Sequence, residues 1–333
     1  MVYQKGQTRI NVLKTLIFAK FNIFLTLTLP HMKTRILTLL PFLLLLIMPV
    51  LGQDYTFKVL VNKGTNEYRS DGGAWQPLKT GTSLKNSDEL KLSDNAYLGL
   101  VHVEGKPIEL KKAGNYKVTP DLTSLVDGGS TVLRKYVDFA LSNNSAEAKK
   151  NRLSATGAVQ RTVEHSGIRL SLPPNQNSGI FNNIAVINWD NTSVKGPYTV
   201  TFRNMFDDVL ERVETPETSI TINLADKPLA SENAVLIEVS AKDDPALISE
   251  QHLIKRLAPA QQESVRKQLD EILGEMEEGE SALNKLILAG FYEENELLID
   301  AIASYESAVK LAPDVQEFKD AYDEFLLRHA MAY

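Results

Sequence analysis

The sequence predicts two all-β domains followed by an all-α module, and three observations predict it. Short alternating runs separated by Gly, Asn and Pro turns fill residues 53–120, and a second such set fills residues 157–243. From about residue 249 the apolar positions recur at helical spacing instead. The third observation is size: 333 residues exceed what one core usually organises. Composition is that of a folded chain, with 43% hydrophobic and 23% charged residues and no cysteine. Without cysteine there is no disulfide framework, thiol nucleophile, zinc-thiolate site or iron–sulfur site. Residues 1–52 carry six Lys or Arg and no acid, so the remaining 281 hold 30 basic and 42 acidic side chains, a net charge of -12. A body that acidic is a poor match for nucleic acid or an anionic membrane surface.

The basic N-terminal stretch reads as a leader. Lys33 and Arg35 precede the apolar run Ile36–Leu51, and Val50 and Gly52 put small side chains where a signal peptidase probes, so cleavage is expected after Gly52. At 16 residues, this stretch falls short of the roughly 20 needed to cross a bilayer. A second apolar segment, Leu13–Leu29, lies upstream, and Met32 is the expected true start. The expectation is a periplasmic or secreted protein with no stable membrane insertion once the leader is removed.

The first β set begins with Tyr55–Val61, where Tyr, Phe and Val alternate with Thr and Lys, and continues through Glu89–Leu92, Ala96–Val103, Pro107–Leu110 and Gly114–Val118. Turns at Ser70–Gly73, Thr80–Thr82, Ser93–Asn95 and Glu104–Lys106 separate them, which predicts a small β barrel or sandwich. Its spacing, Trp75-x-x-Leu78-x-x-Gly81-x-x-Leu84, Asp88-x-Leu90, Leu98/Leu100/Val101, Gly105-Lys106-x-Ile108-x-Leu110 and Gly114-x-Tyr116-x-Val118, resembles the bacterial FecR-type β domain. That resemblance implies an extracytoplasmic structural or sensing module rather than a catalyst. The chain departs from the family in lacking its arrangement of cytoplasmic segment and membrane span. Trp75 is expected to be a core or turn-packing aromatic, the rival reading being a glycan platform.

Residues 121–156 supply one amphipathic helix, Ser130–Leu141, with Val132, Leu133, Val137 and Ala140 on one face, and a polar linker, Ser142–Thr156. The second β set has strand candidates at Ile168–Leu172, Ile184–Trp189, Tyr198–Arg203, Asp208–Val213, Ser219–Leu224 and Ala234–Ser240, with turns at Pro173–Asn175, Asn191–Pro197, Thr215–Pro216 and Lys227–Pro228. With Trp189 as a core residue this is similar to an immunoglobulin-like or fibronectin-like sandwich.

The helical region, residues 249–333, opens with a helix over Ala260–Met276 carrying Val265, Leu269, Ile272 and Leu273. Ala282–Val315 resembles the 34-residue tetratricopeptide repeat. Leu288 and Ala289 match its Leu-small pair, Tyr292 the following aromatic, and Ala301, Tyr305, Ala308 and Pro313 the small, aromatic, small and proline positions of its second helix and exit. Lys285 stands where a bulky apolar residue is usual, with Leu286 taking over part of that packing. Gln316–Ala330, through Phe318, Tyr322, Phe325 and Leu326, is a capping helix. The repeat resemblance implies partner binding, and Lys285, Tyr292, Asn295 and Glu296 are the candidate partner-contacting residues, Tyr292 being expected to be buried rather than exposed. Together the three modules resemble multi-module envelope proteins of the Bacteroidetes type.

Catalytic motifs do not emerge. There is no Gly-x-Ser-x-Gly elbow, no Gly-x-x-x-x-Gly-Lys-Ser/Thr loop and no His-Glu-x-x-His. His102, His165, His252 and His329 are scattered; His102 reads as the outward residue of a strand, and His252 and His329 as helix-surface residues. His165 sits beside Glu164 and Ser166, but neighbours on a strand face opposite ways. The acidic pairs Asp207–Asp208, Asp243–Asp244 and Glu293–Glu294 are expected to serve turns and helix ends, the rival for Asp243–Asp244 being a calcium contact. The run Glu275–Glu280 is expected to be a solvated face, the rival being a docking surface for a basic partner. No cofactor or metal site is expected. The expectation is therefore a non-catalytic scaffold or adaptor whose helical module binds an envelope protein or peptide, with an extracytoplasmic sensory module and a cell-wall or glycan-acting enzyme as the alternatives.

Overall fold

The computed structural model describes residues 55–126, 131–143, 167–190, 192–276 and 279–331. The leader, most of the polar linker and His165 lie outside the described residues.

Eight strands build the N-terminal domain: β1 (Phe57–Lys63), β2 (Glu67–Arg69), β3 (Gln76–Pro77), β4 (Ser83–Leu84), β5 (Glu89–Leu92), β6 (Tyr97–His102), β7 (Pro107–Leu110) and β8 (Gly114–Lys117). They form two open four-stranded sheets, in the orders β4-β1-β6-β7 and β3-β2-β5-β8, so the barrel alternative gives way to two unclosed sheets. Phe57, Val59, Leu98, Leu100 and Ile108 from one sheet meet Leu90 and Leu92 from the other in a common core. The first sheet is also covered on its opposite face. A register shift between Val59 and Val61 turns Val61 outward, and β6 is buried from Tyr97 through Val101. A strand buried on both sides reads as a continuous apolar run, as Tyr97–Val101 does.

The central domain pairs β10 (Ile184–Asn188) with β13 (Ser219–Asn223) in one sheet. The other sheet holds β12 (Val209–Thr215), β11 (Tyr198–Arg203), β14 (Ala234–Ala241), β15 (His252–Arg256) and β9 (Asn177–Ile180), in that order. All pairings are antiparallel except β15 with β9. Val235, Ile237 and Val239 point inward by strict alternation, and Trp189 is a core residue whose ring meets Tyr198 edge-on at 5.4 Å. Two strands differ from the sequence reading. Residues 252–256, in a stretch read as helical, form β15, and the parallel partner β9 replaces Ile168–Leu172, which contributes only a bridge from Leu170 to Trp189. β9, Asn-Ser-Gly-Ile, carries no β-branched run until its last residue, so propensity could not announce it.

Five helices follow the expected periodicity: α1 (Thr131–Asn143), α2 (Pro259–Leu273), α3 (Ala282–Glu294), α4 (Leu298–Leu311) and α5 (Gln316–Arg328). Pro259 opens α2 at a position where its missing N–H is harmless. The Ser281 hydroxyl caps α3 by accepting from the Asn284 amide at 3.1 Å. α3 and α4 form the hairpin; α3 also packs on α1, and α4 on α5 and on β9 and β10. Close approach is set by small residues. A Cβ at Gly290 of α3 would stand 3.1 Å from the Phe139 ring of α1, and one at Gly99 of β6 would stand 3.3 Å from Leu283 of α3.

One continuous core therefore joins the outer face of the N-terminal sheet (Val61, Tyr97, Val101), α1, the hairpin and the interior of the central sandwich. Residues Tyr55–Tyr333 cluster as one compact unit. A chain ending at Gly279 would strip Val61, Tyr97 and Phe181 of their cover from Leu283, Phe318 and Tyr292. It is expected to lose the cooperative thermal transition of both β domains and to bind a hydrophobic dye; a cooperative melt within a few degrees of the full chain would contradict this packing.

Candidate functional site

The hairpin is the element the sequence singled out, and the repeat positions fall where close helix packing needs them. Ala289, Ala301 and Ala308 are fully buried, and the buried Tyr292 and Tyr305 rings meet Phe181 of the central domain and Tyr322 and Phe325 of α5 respectively. Leu286 is buried beside the half-buried Lys285, so it does carry the packing that Lys285 cannot.

Each end of the hairpin is bonded to a β domain through a carboxylate, half-buried at Glu109 and buried at Asp300. At the N-terminus of α3, one Glu109 oxygen of β7 accepts from the Leu283 amide at 2.8 Å and the Ser281 hydroxyl at 2.7 Å. The Tyr97 hydroxyl also donates to Glu109, and Lys111 approaches its second oxygen at 2.6 Å. Burial alone would raise the Glu109 carboxyl, but Lys111, Tyr97, the Leu283 amide and Ser281 together hold it below its ordinary value. At the start of α4, Asp300 is 1% exposed and its two oxygens accept from the Phe181 and Asn182 amides of the β9–β10 connection, both at 2.8 Å. Here burial prevails over those bonds and the carboxyl is pushed up to about 6. Asn182 also donates to the Tyr292 hydroxyl at 2.9 Å, and Asn188, the last residue of β10, donates to Glu306 at 2.9 Å and to the Tyr322 hydroxyl at 3.0 Å.

A third carboxylate, the buried Glu293 at the end of α3, gathers the three C-terminal helices. It accepts from Tyr305 of α4 at 3.0 Å, from Arg328 of α5 by two nitrogens at 2.9 Å, and lies 2.9 Å from the His329 ring. Burial pushes its carboxyl up, but His329 and Arg328 outweigh that and hold it low. Glu293 thus departs from the expectation that the Glu293–Glu294 pair serves a turn; Glu294 instead pairs with Lys135 of α1 at 2.9 Å. His329 is half-buried against this cluster rather than lying free on a helix surface.

The four candidate contact residues are placed as follows. Tyr292 is buried and its hydroxyl is engaged by Asn182. Asn295 caps α3 by donating to the Phe291 carbonyl at 2.8 Å, Glu296 is exposed at the hairpin turn with a φ of 59°, and Lys285 is half-exposed. The structure does not gather them into a cavity. Asp300 was legible in principle as the single charge in the apolar run Leu297–Ile302, a position that needs a buried partner.

A hydroxyl and an imidazole do converge elsewhere. His252, expected on a helix surface, is a buried residue of β15, and its Nε2 lies 2.9 Å from Ser178 Oγ of the parallel strand β9. His252 lines an open cleft of about 430 Å³ together with Leu170, Pro173, Gln176, Ile248 and Glu250. Ser178 is not among the residues that line it; its bond to His252 ties β9 to β15. His102 borders β6 with its ring against Phe57 at 5.1 Å, and Trp75 is half-exposed with the Arg69 guanidinium 4.7 Å from its ring. Asp244 closes a local turn by accepting from the Ala246 amide. Among the described residues no group of three or more His, Asp or Glu is arranged to hold a metal ion, and no helix is long and apolar enough to cross a membrane.

Neither a scan of protein-family models nor a search of curated proteins returns a match for the chain. The fold defines a multidomain protein with N-terminal and central β-sheet domains and a C-terminal helical module of repeat-like packing.

The buried groups carry opposite pH dependences. Burial pushes His252 down to about 4, whereas an unfolded histidine titrates near 6.5, so its contribution is whole above about pH 6.5 and is lost as pH falls toward 4. Asp300 behaves inversely: the folded chain keeps a proton that the unfolded chain releases above about pH 3.9, so its contribution falls as pH rises to about 6. Between pH 5 and 6 the two slopes oppose each other. Asp300→Asn removes one of them, and urea unfolding is expected to show the variant losing about 1 kcal/mol more than the parent on going from pH 6 to pH 5. Parallel profiles would contradict the assignment. Asp300→Ala orphans two buried amides and is expected to cost about 2–4 kcal/mol at pH 7, measured in the same way.

Proposed function

We propose that the chain is a non-catalytic extracytoplasmic scaffold or adaptor. A FecR-like β domain and an immunoglobulin-like sandwich are held in fixed relation by a tetratricopeptide-like hairpin, and the outward remainder of the helical module meets an envelope protein or peptide. One observation carries the reading. The hairpin is bonded at one end to Glu109 of the N-terminal domain and through Asp300 to the central domain, leaving its turn at Asn295–Glu296 and the half-exposed Lys285 toward solvent. Rigid mutual placement of two β domains is what a scaffold requires and what a flexible string of modules cannot supply. The immunoglobulin-like assignment is supported by a two-stranded sheet facing a five-stranded one whose last strand runs parallel to the first. The repeat assignment is supported by the buried small and aromatic positions of α3 and α4. The extracytoplasmic placement rests on the leader features of residues 32–52.

Partner contact at the hairpin turn is tested by double charge reversal, Lys285→Glu with Glu296→Lys, in the full-length chain. Crosslinking in the native cell followed by affinity capture is expected to lose a defined envelope protein that the parent chain retains, with the thermal midpoint unchanged. Retention of that protein by the variant would overturn the assignment of the helical module as its contact surface.

A further inference from the structure

The most exposed large apolar side chain among the described residues lies outside the helical module. Phe206, at the tip of the β11–β12 hairpin, is 86% exposed; Met205 beside it is 58% exposed and Val209 is 40% exposed. By contrast Phe202, four residues earlier, is fully buried. An isolated exposed apolar residue calls for no explanation, but an adjacent Met–Phe pair on a loop tip does.

The tip is built to hold that pair outward. The Asn204 side-chain oxygen accepts from the Phe206 amide at 2.9 Å and the Asp208 amide at 3.0 Å, while its nitrogen donates to the Asp208 carboxylate at 3.1 Å. The Asp207 amide donates to the Asn204 carbonyl, the Asn204 amide donates to the Asp208 carbonyl, and Asp207 takes a φ of 68°. Arg203 donates to the Asp207 carbonyl at 3.2 Å and faces its carboxylate at 3.5 Å. A bulge, where Phe202 pairs with Glu211 but Arg203 pairs with Val209, bends the strand just below the tip. All of these bonds use backbone groups or the side chains of Arg203, Asn204, Asp207 and Asp208. None uses the side chain of Met205 or Phe206, and turn chemistry alone favours polar residues there. A rigid loop presenting an aromatic side chain loses little conformational freedom on binding, which is what makes an anchor effective.

We propose that Met205 and Phe206 form a docking anchor for a protein partner that offers an apolar pocket rimmed by lysine or arginine side chains. Charge selects this occupant. Asp207 and Asp208 flank the anchor and Glu211, Glu214 and Glu217 follow along the chain; Arg203 offsets Asp207 and Lys242 offsets Glu214, and with Arg212 as the one other cation of the β11–β12 hairpin the surroundings stay net acidic. The chain beyond residue 52 carries a net charge of -12. Carboxylates beside the ring repel an anionic bilayer and a second copy of the same acidic chain, whereas a cation-rimmed pocket gains both ion pairing and cation–π contact. The anchor goes beyond the helical-module reading and occupies a different surface, so either assignment can fail alone.

The test uses the full-length chain with a photoreactive benzoylphenylalanine replacing Met205, irradiated in the native cell. The expected result is one crosslinked protein whose attached peptide maps to an apolar pocket bordered by Lys or Arg. Binding of the purified pair should weaken at least about tenfold with Phe206→Ser, and further as salt rises. It should be unchanged by the double reversal at Lys285 and Glu296. Because Phe206 is exposed, the Ser variant is expected to keep the parent thermal midpoint. Three results would overturn the proposal: no discrete crosslink, equal binding by Phe206→Ser, or Phe206-dependent association with phosphatidylglycerol vesicles or with the chain itself in sedimentation.

Discussion

A single two-helix hairpin of the repeat kind cannot bury its own apolar surface, and the rest of this structure depends on how that surface is covered. In a solenoid the neighbouring repeats do it. Here α1 and β7 meet α3, β9 and β10 meet α4, and α5 closes the remaining edge. Hydrophobic burial supplies the attraction but no direction. Direction comes from three carboxylates, Glu109 half-buried and the others buried: Glu109 sets where α3 begins, Asp300 sets which loop α4 meets, and Glu293 fixes α5 against both. A buried charge left without its partners is costly, so each makes alternative dockings expensive as well as favouring this one.

Such an arrangement changes what the repeat is for. Stacked repeats present a groove because their inner faces are left free, whereas the inner faces of this hairpin are consumed within the chain. What remains outward is narrow: the turn at Asn295–Glu296, Lys285, and the partly exposed Leu311 and Leu327 near the α4–α5 edge. The hairpin contributes chiefly as a keystone that makes two β domains and a helical module one body. A rigid body of that kind positions whatever binds elsewhere on it, and the ordered Met205–Phe206 tip is a surface that gains from being so positioned.

Much of this was legible in the residues. Alternation located Glu89–Leu92 and Pro107–Leu110 to the residue, and the spacing of Ala289, Ala301, Ala308 and Pro313 located both hairpin helices. The misses share a cause: they are groups whose role is defined by a partner distant in sequence. His252 read as surface because its strand, β15, is stabilised by pairing with Asn177–Ile180, some 75 residues away, rather than by its own propensity. Glu293 read as a turn carboxylate because Arg328 and His329 lie beyond the next helix. Tyr97 lies in the expected strand Ala96–Val103, and nothing local marks the helix N-terminus it shares with Glu109.

The central claim is that the hairpin fuses the domains into one cooperative unit, and native-state hydrogen exchange tests it most directly. The slowest amides of β6, β11, β14 and α3 are to be followed as denaturant is raised below the unfolding transition. The account predicts that Leu98 and Leu100 in the N-terminal domain, Val200 and Val239 in the central domain, and Ile287 in the hairpin converge on one opening free energy. Two distinct values, with β6 opening well below β14, would show domains that merely touch and would contradict it.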